Sequence, residues 1–293
     1  MRRISNLFRL TIGFRKMNRI GLIFLLLFSY GCVPRTLIVD HPNLVSLYFE
    51  KKISSLENQK ELTQTQKRKL LKTKVEYGYG ILLEESDRLI DEDYYLGIEK
   101  AQEAYQEFKD AKEIGLTILK DAYPGFDNWL INDEKGDFTE DDIFDLYWLG
   151  AAYGGAIRSS RGNPFEIVNL PKVGKLFQTA ILLNPDWGRG ALYSAMMSYT
   201  SSRPDLFGEI LKDSVTFYYS KAISASDSLD AGPFVSYAES IDKKFQQKDA
   251  FVQKLQFVLN MDVEKDKDLR LSNIIAQERA KWLLLKKSEY FLE

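Results

Sequence analysis

Thr139-Glu140-Asp141-Asp142-Ile143-Phe144-Asp145-Leu146-Tyr147-Trp148-Leu149-Gly150-Ala151-Ala152-Tyr153-Gly154-Gly155-Ala156-Ile157 reads as one helix, and the same grammar recurs along the chain. Thr139 with an acid three residues on, Asp142, has the spacing of a capping box. Leu146, Leu149, Gly150 and Tyr153 then return at three- and four-residue steps, the stripe of an amphipathic helix. The pattern breaks before Gly162-Asn163-Pro164, a turn signal.

Working outward, almost every periodic segment is helical, and no alternating strand pattern of useful length occurs. Leu44, Leu47, Tyr48, Ile53 and Leu56 predict a first helix; Leu70, Leu71, Val75, Gly78, Leu82, Leu83 and Ile90 predict a second. A third spans Tyr94 to Ala122 and stops at Tyr123-Pro124-Gly125. Later helices are expected over Pro171–Leu183, Asp186–Tyr199, Glu209–Ala225, Phe234–Ile241, Lys248–Leu259 and Asp266–Phe291, between Pro, Gly, Asn and Asp clusters. The expectation is an all-α domain over residues 44–293 with ten or eleven helices.

Four segments share a spacing: Ala104-Phe108-Ala111, Val173-Phe177-Ala180, Val215-Tyr219-Ala222 and Phe251-Leu255-Val258. Ahead of the second, Leu146-x-x-Leu149-Gly150-x-x-Tyr153 resembles the first helix of a tetratricopeptide repeat, in which Gly lets two helices approach closely. The reading is a solenoid or bundle of degenerate tetratricopeptide-like helix pairs.

The rest of the composition limits the chemistry. The chain has 293 residues, 45% hydrophobic and 28% charged, a globular balance. Six of its 40 Lys and Arg precede residue 32 with no acid among them, which leaves 34 against 42 acids beyond. That balance argues against nucleic acid as a partner. Residues 42–293 contain neither Cys nor His, so Cys/His metal sites, Cys nucleophiles and Ser-His-Asp hydrolysis are excluded there. Gly78-Tyr79-Gly80 lacks a third glycine and a preceding strand and reads as a close-packing site. The acidic run from Asp133 to Asp142 fails as a calcium loop because a bidentate Glu is missing at its twelfth place. No metal, cofactor or enzymatic activity is expected.

The N-terminus reads as an address. The apolar run Ile20–Tyr30 follows basic residues ending in Arg19 and is shorter than the ~20 residues a spanning helix needs. It ends Ser29-Tyr30-Gly31-Cys32, which resembles the lipobox of bacterial lipoproteins, with Tyr30 where a small residue is usual. Residues 1–31 are therefore read as a lipoprotein signal peptide, with Met17 as an alternative start. Residues 32–43 are read as an acylated Cys32 and a tether that includes His41.

Several of these stretches together resemble one family. Leu146 to Gly154, Leu170-Pro171-Lys172-Val173, Leu183-Asn184-Pro185-Asp186-Trp187-Gly188, Val235 to Ser240, and Leu269-Arg270-Leu271-Ser272-Asn273 through Ala280-Lys281-Trp282-Leu283-Leu284 look like the T-component (TatT) family of TRAP transporter accessory lipoproteins. The resemblance runs from about residue 70 to the C-terminus. It implies a lipid-anchored protein at the periplasmic face of an envelope membrane, inner or outer. It further implies a periplasmic solute-binding protein as partner, a homotrimer, and a hydrophobic small molecule as ligand.

Aromatic residues supply the site candidates. Tyr147, Trp148, Tyr153, Trp187, Tyr193 and Tyr199 fall on predicted first helices of pairs, which line the concave face of a solenoid. Arg270, Asn273 and Arg279 on the last helix are candidate polar anchors. The alternative function is a general tetratricopeptide adaptor for protein or peptide partners in envelope assembly. A continuous apolar cavity favours the ligand reading, and an open groove with Asn, Lys and Arg ladders favours the adaptor.

Overall fold

The computed structural model describes residues 42–132 and 136–292, where all regular structure is helical. Cys32, His41 and the segment read as a signal peptide lie outside the described residues. The chain divides into two units, residues 1–44 and 45–293. Among the described residues ten helices reach seven residues or more, as the periodicity predicts.

Chain order begins with α1 (Pro42–Glu57) and α2 (Gln64–Tyr77). A π-turn at Gly78–Leu83 joins α2 directly to α3 (Glu84–Glu92). The buried face of α1 differs from the expected one. Val45, Phe49, Ile53 and Leu56 are buried, whereas Leu47 and Tyr48 are exposed, because Phe49 stacks on Tyr77 at 5.5 Å and sets the rotation of the helix.

The longest helix, α4 (Tyr94–Ala122), has the bounds the sequence predicts. The Asp93 side chain caps it by accepting from the Tyr95 and Leu96 amides, both at 3.1 Å. Its buried stripe is Gly97, Ala101, Ala104, Phe108, Ala111, Gly115, Ile118 and Leu119. Small residues at this spacing let α2 and the next long helix approach from two sides. The short α5 (Phe126–Ile131) then leads to the Thr139 cap, where Asp142 accepts from the Thr139 amide at 2.8 Å. From there α6 (Ile143–Ser159) runs through the middle of the unit.

Beyond α6 come α7 (Pro164–Ile167), α8 (Leu170–Leu183), α9 (Ala191–Ser201) and α10 (Gly208–Ala225). The helix expected from Asp186 instead starts at Ala191. Gly188, Arg189 and Gly190 all have positive φ, and a Cβ at 190 would come within 2.7 Å of the Ala222 carbonyl; the backbone lies too close to α10 for a regular helical turn. Next are α11 (Gly232–Tyr237), a second π-turn at Ala238–Asp242, and α12 (Lys248–Leu259). The final helices are α13 (Arg270–Leu285) and α14 (Lys287–Tyr290). They are shorter than the predicted Asp266–Phe291 run because Asp266 Oδ1 accepts the Asp268 and Leu269 amides in a turn.

Consecutive helices pack as neighbours, and the last returns to the first part of the unit. Ile275 of α13 abuts Gly80 of the first π-turn, Arg279 reaches Glu84 and Asp87, and Lys286 pairs with Asp91. The glycine contacts explain how closely the array closes. A Cβ at Gly150 would lie 2.6 Å from the Phe177 ring of α8, and one at Gly78 2.6 Å from Phe108. Both glycines therefore serve close packing, as the sequence implies. All four Ala/Val/Phe-type triads place their first and last residues in the core.

Candidate functional site

The small side chains of α6 that face away from α4 leave a hollow. Gly150, Ala151 and Gly154 form one wall of a cavity of about 600 Å³, with Tyr147 before them and Ile157 and Arg158 after. From α8 come Leu170, Val173 and Phe177; from α9, Ser194, Ala195, Ser198 and Tyr199. Both π-turns of the described residues reach it, the first through Tyr79 and the second through Glu239 and Ser240. A π-turn inserts one extra residue into the helix and re-aims its neighbours, and such turns concentrate at functional sites.

The apolar wall is aromatic. Tyr147 lies 5.9 Å from Phe177 and 5.0 Å from Trp187, ring centre to ring centre. Tyr79 donates to the Ala151 carbonyl at 3.2 Å, which ties the first π-turn to α6. Burial pushes the Tyr79 hydroxyl up to about 12, against the pull of Arg158, and raises Tyr147 as well. Tyr199 lies on Gly174, where a Cβ would come within 2.3 Å of its ring.

Beside this wall stands an ion network drawn from four elements. Arg279 of α13 donates to both oxygens of Glu239, at 2.7 and 3.2 Å, and its Nη2 is 3.2 Å from Asp87 of α3. Asp87 also accepts from Arg158 at 2.8 Å and from Arg161 at 3.1 Å. Arg161 has φ 52, a left-handed conformation. Its second bond, to Ser86 Oγ at 2.7 Å, helps hold that conformation. Burial alone would lift the Asp87 carboxyl, yet Arg158, Arg279 and Arg161 hold it below its ordinary value. Glu84, 3.6 Å from Arg279, goes the other way: burial raises it despite the arginines around it.

The predicted site residues divide. Tyr147 and Tyr199 line the cavity, and Trp187 backs Tyr147 without reaching the lining. Trp148 turns toward α2, with Lys72 Nζ 5.5 Å from its ring. Tyr153 is buried in the core beneath Lys112 and Lys172. Tyr193 is half-buried outside the lining. Asn273 is buried and fastens the loop before α11, donating to the Leu229 carbonyl at 2.8 Å and accepting from the Ala231 amide at 2.9 Å. Arg270 pairs with Glu264 at 2.7 Å. Sequence reasoning missed Tyr79, Arg158, Glu239 and the serines. The spacing of Ser194, Ser198 and Ser201 along α9, with Ser202 just past its end, is the one signal that marked a polar stripe on this face.

Residues 51–291 match the family described as TRAP transporter T-component. The chain belongs to this family. The family takes its description from a component of TRAP transporters. An uncharacterized protein of Treponema pallidum (strain Nichols) is 23% identical over 185 residues, which are 61% of this chain and 57% of that protein. The match thus spans little more than half of the relative's length. Among the described residues of this T component, no helix is long and apolar enough to cross a membrane.

Proposed function

We propose that this T component is held at the periplasmic face of an envelope membrane by a lipid on Cys32, works with a periplasmic solute-binding protein, and carries an apolar ligand in the cavity beside α6. Membership of the family supports the transport context and the partner. The observation that carries the ligand reading is the cavity of about 600 Å³, walled by Tyr79, Tyr147, Val173 and Phe177. Its volume and its apolar wall with a few polar groups fit a small-molecule site. The lining holds no Asn or Lys and a single Arg, which favours a ligand over a general peptide adaptor, for which a groove laddered with Asn, Lys and Arg was the sequence criterion. The helix pairs are read as degenerate tetratricopeptide units, and a homotrimer is the assembly the family resemblance implies.

Filling the cavity tests the ligand reading. A Cβ at Gly154 faces open space apart from the Tyr79 hydroxyl at 3.2 Å and Val173 at 4.0 Å. Gly154→Leu should abolish uptake of an environment-sensitive apolar dye by the purified protein and leave the melting temperature within a few degrees, because leucine is the better helix former. Full dye binding in this variant would remove the cavity as the ligand site. For the anchor, Cys32→Ser should end palmitate labelling and release the protein from the membrane fraction; labelling at the wild-type level would remove Cys32 as the acylated residue.

A further inference from the structure

The cavity has two unlike ends, and α6 sets both. Tyr147 stands at one end of its cavity face, and Arg158 stands about 16 Å further along the helix. Arg158 is desolvated by the protein around it, yet 46% of its side-chain surface stays accessible. Arg158 is one of the residues that line the cavity.

Arg158 and Glu239 are the charged residues of the lining. Glu239 has both oxygens engaged by Arg279. Asp87, the partner of Arg158, is engaged on both oxygens too. Arg158 itself uses one donor, Nη2, for Asp87, out of the five N–H groups of a guanidinium. Ser194, Ser198, Ser201, Ser202 and Ser240 donate to backbone carbonyls three or four residues back and carry no charge to match a carboxylate. Around this point the carboxylates Glu84, Asp87 and Glu239 meet the guanidiniums of Arg88, Arg158, Arg161 and Arg279, which leaves a surplus of one positive charge.

We infer that the cavity selects an amphiphile with a single carboxylate head, seated on the open donors of Arg158, with its apolar body along Tyr79, Tyr147, Val173 and Phe177. This rests on the ligand reading proposed above and adds the head group. A guanidinium presents paired donors in the plane a carboxylate matches.

Three probes of equal chain length isolate the head: decanoate, decanol and decyltrimethylammonium, titrated by calorimetry into the wild-type protein. Decanoate should bind at least about tenfold more tightly than decanol, the scale of one charge-assisted hydrogen bond, and the cation should bind most weakly. Arg158→Gln should bring decanoate down to the level of decanol and leave decanol unchanged, while Arg158→Lys should retain part of the preference. Equal binding of decanoate and decanol to the wild-type protein would overturn the head-group assignment and leave the ligand reading standing. The same holds for a preference that survives in Arg158→Gln. Absence of binding by all three probes would overturn both. The wild-type comparison decides the matter even where Arg158→Gln fails to fold.

Discussion

Phe108→Ala is expected to remove about 3–5 kcal/mol of stability, the range for a buried Phe whose cavity cannot collapse. In a domain of this size that lowers the melting temperature by on the order of 10 °C. Phe108 is fully buried on α4, and its ring fits between two glycines on different elements. A Cβ at Gly78 would lie 2.6 Å from it and one at Gly155 2.3 Å, while Tyr79 meets its edge at 4.7 Å. The first π-turn and α6 are thus both seated on one ring. A double-mutant cycle tests this fit. Gly155→Ala alone should cost about 1–3 kcal/mol by overpacking. In the Phe108→Ala background the same change should cost nothing, because the added methyl enters the vacated space and a helical glycine is replaced by a better helix former. Additive losses, read from urea midpoints, would show that the close approach of Gly155 to Phe108 is not what makes the position sensitive.

What the sequence made legible follows from how local each signal is. The end of α4 could be read because Pro124 acts within a turn of it, and the Thr139–Asp142 cap because its partners are three residues apart. Gly150 could be read as a contact point because a glycine within an apolar stripe has few other uses. The rotation of α1 could not, since both of its faces carry apolar residues and the choice is made by Tyr77, a residue of the next helix. The break at Gly188-Arg189-Gly190 depends on the Ala222 carbonyl. The cavity was legible by half. Tyr147 and Tyr199 were found as aromatics on a helix face, but Tyr153 has the same pattern and faces the core. Arg158 gave no signal at all. Its partner is 71 residues away, and an arginine near a helix C-terminus reads as a solvated complement to the helix dipole.

The ion network gives the second large effect, and it carries a sign. Arg279 is 7% exposed and faces Glu84, Asp87 and Glu239, with Trp282 stacked 4.5 Å from its guanidinium. Arg279→Met keeps much of the side-chain volume and removes the charge, which leaves Glu84 and Glu239 without their main partner and Asp87 with Arg158 and Arg161 alone. Breaking such a pair costs about 3–5 kcal/mol, and here the loss should depend on pH. In the wild type the Asp87 carboxyl lies below its ordinary value, so it contributes stability that is present above that ordinary value and is lost as the pH falls through the depressed one. Glu84 lies above its ordinary value, so its contribution fades as the pH rises through the elevated one. Without Arg279 both carboxyls lose attraction and move upward, which brings the point at which protonation relieves them closer to neutrality. The penalty of Arg279→Met, measured by urea unfolding, should therefore be largest at pH 8 and clearly smaller at pH 5. If the gap between variant and wild type is the same at both values, the loss comes from packing around Trp282 and not from the carboxylates.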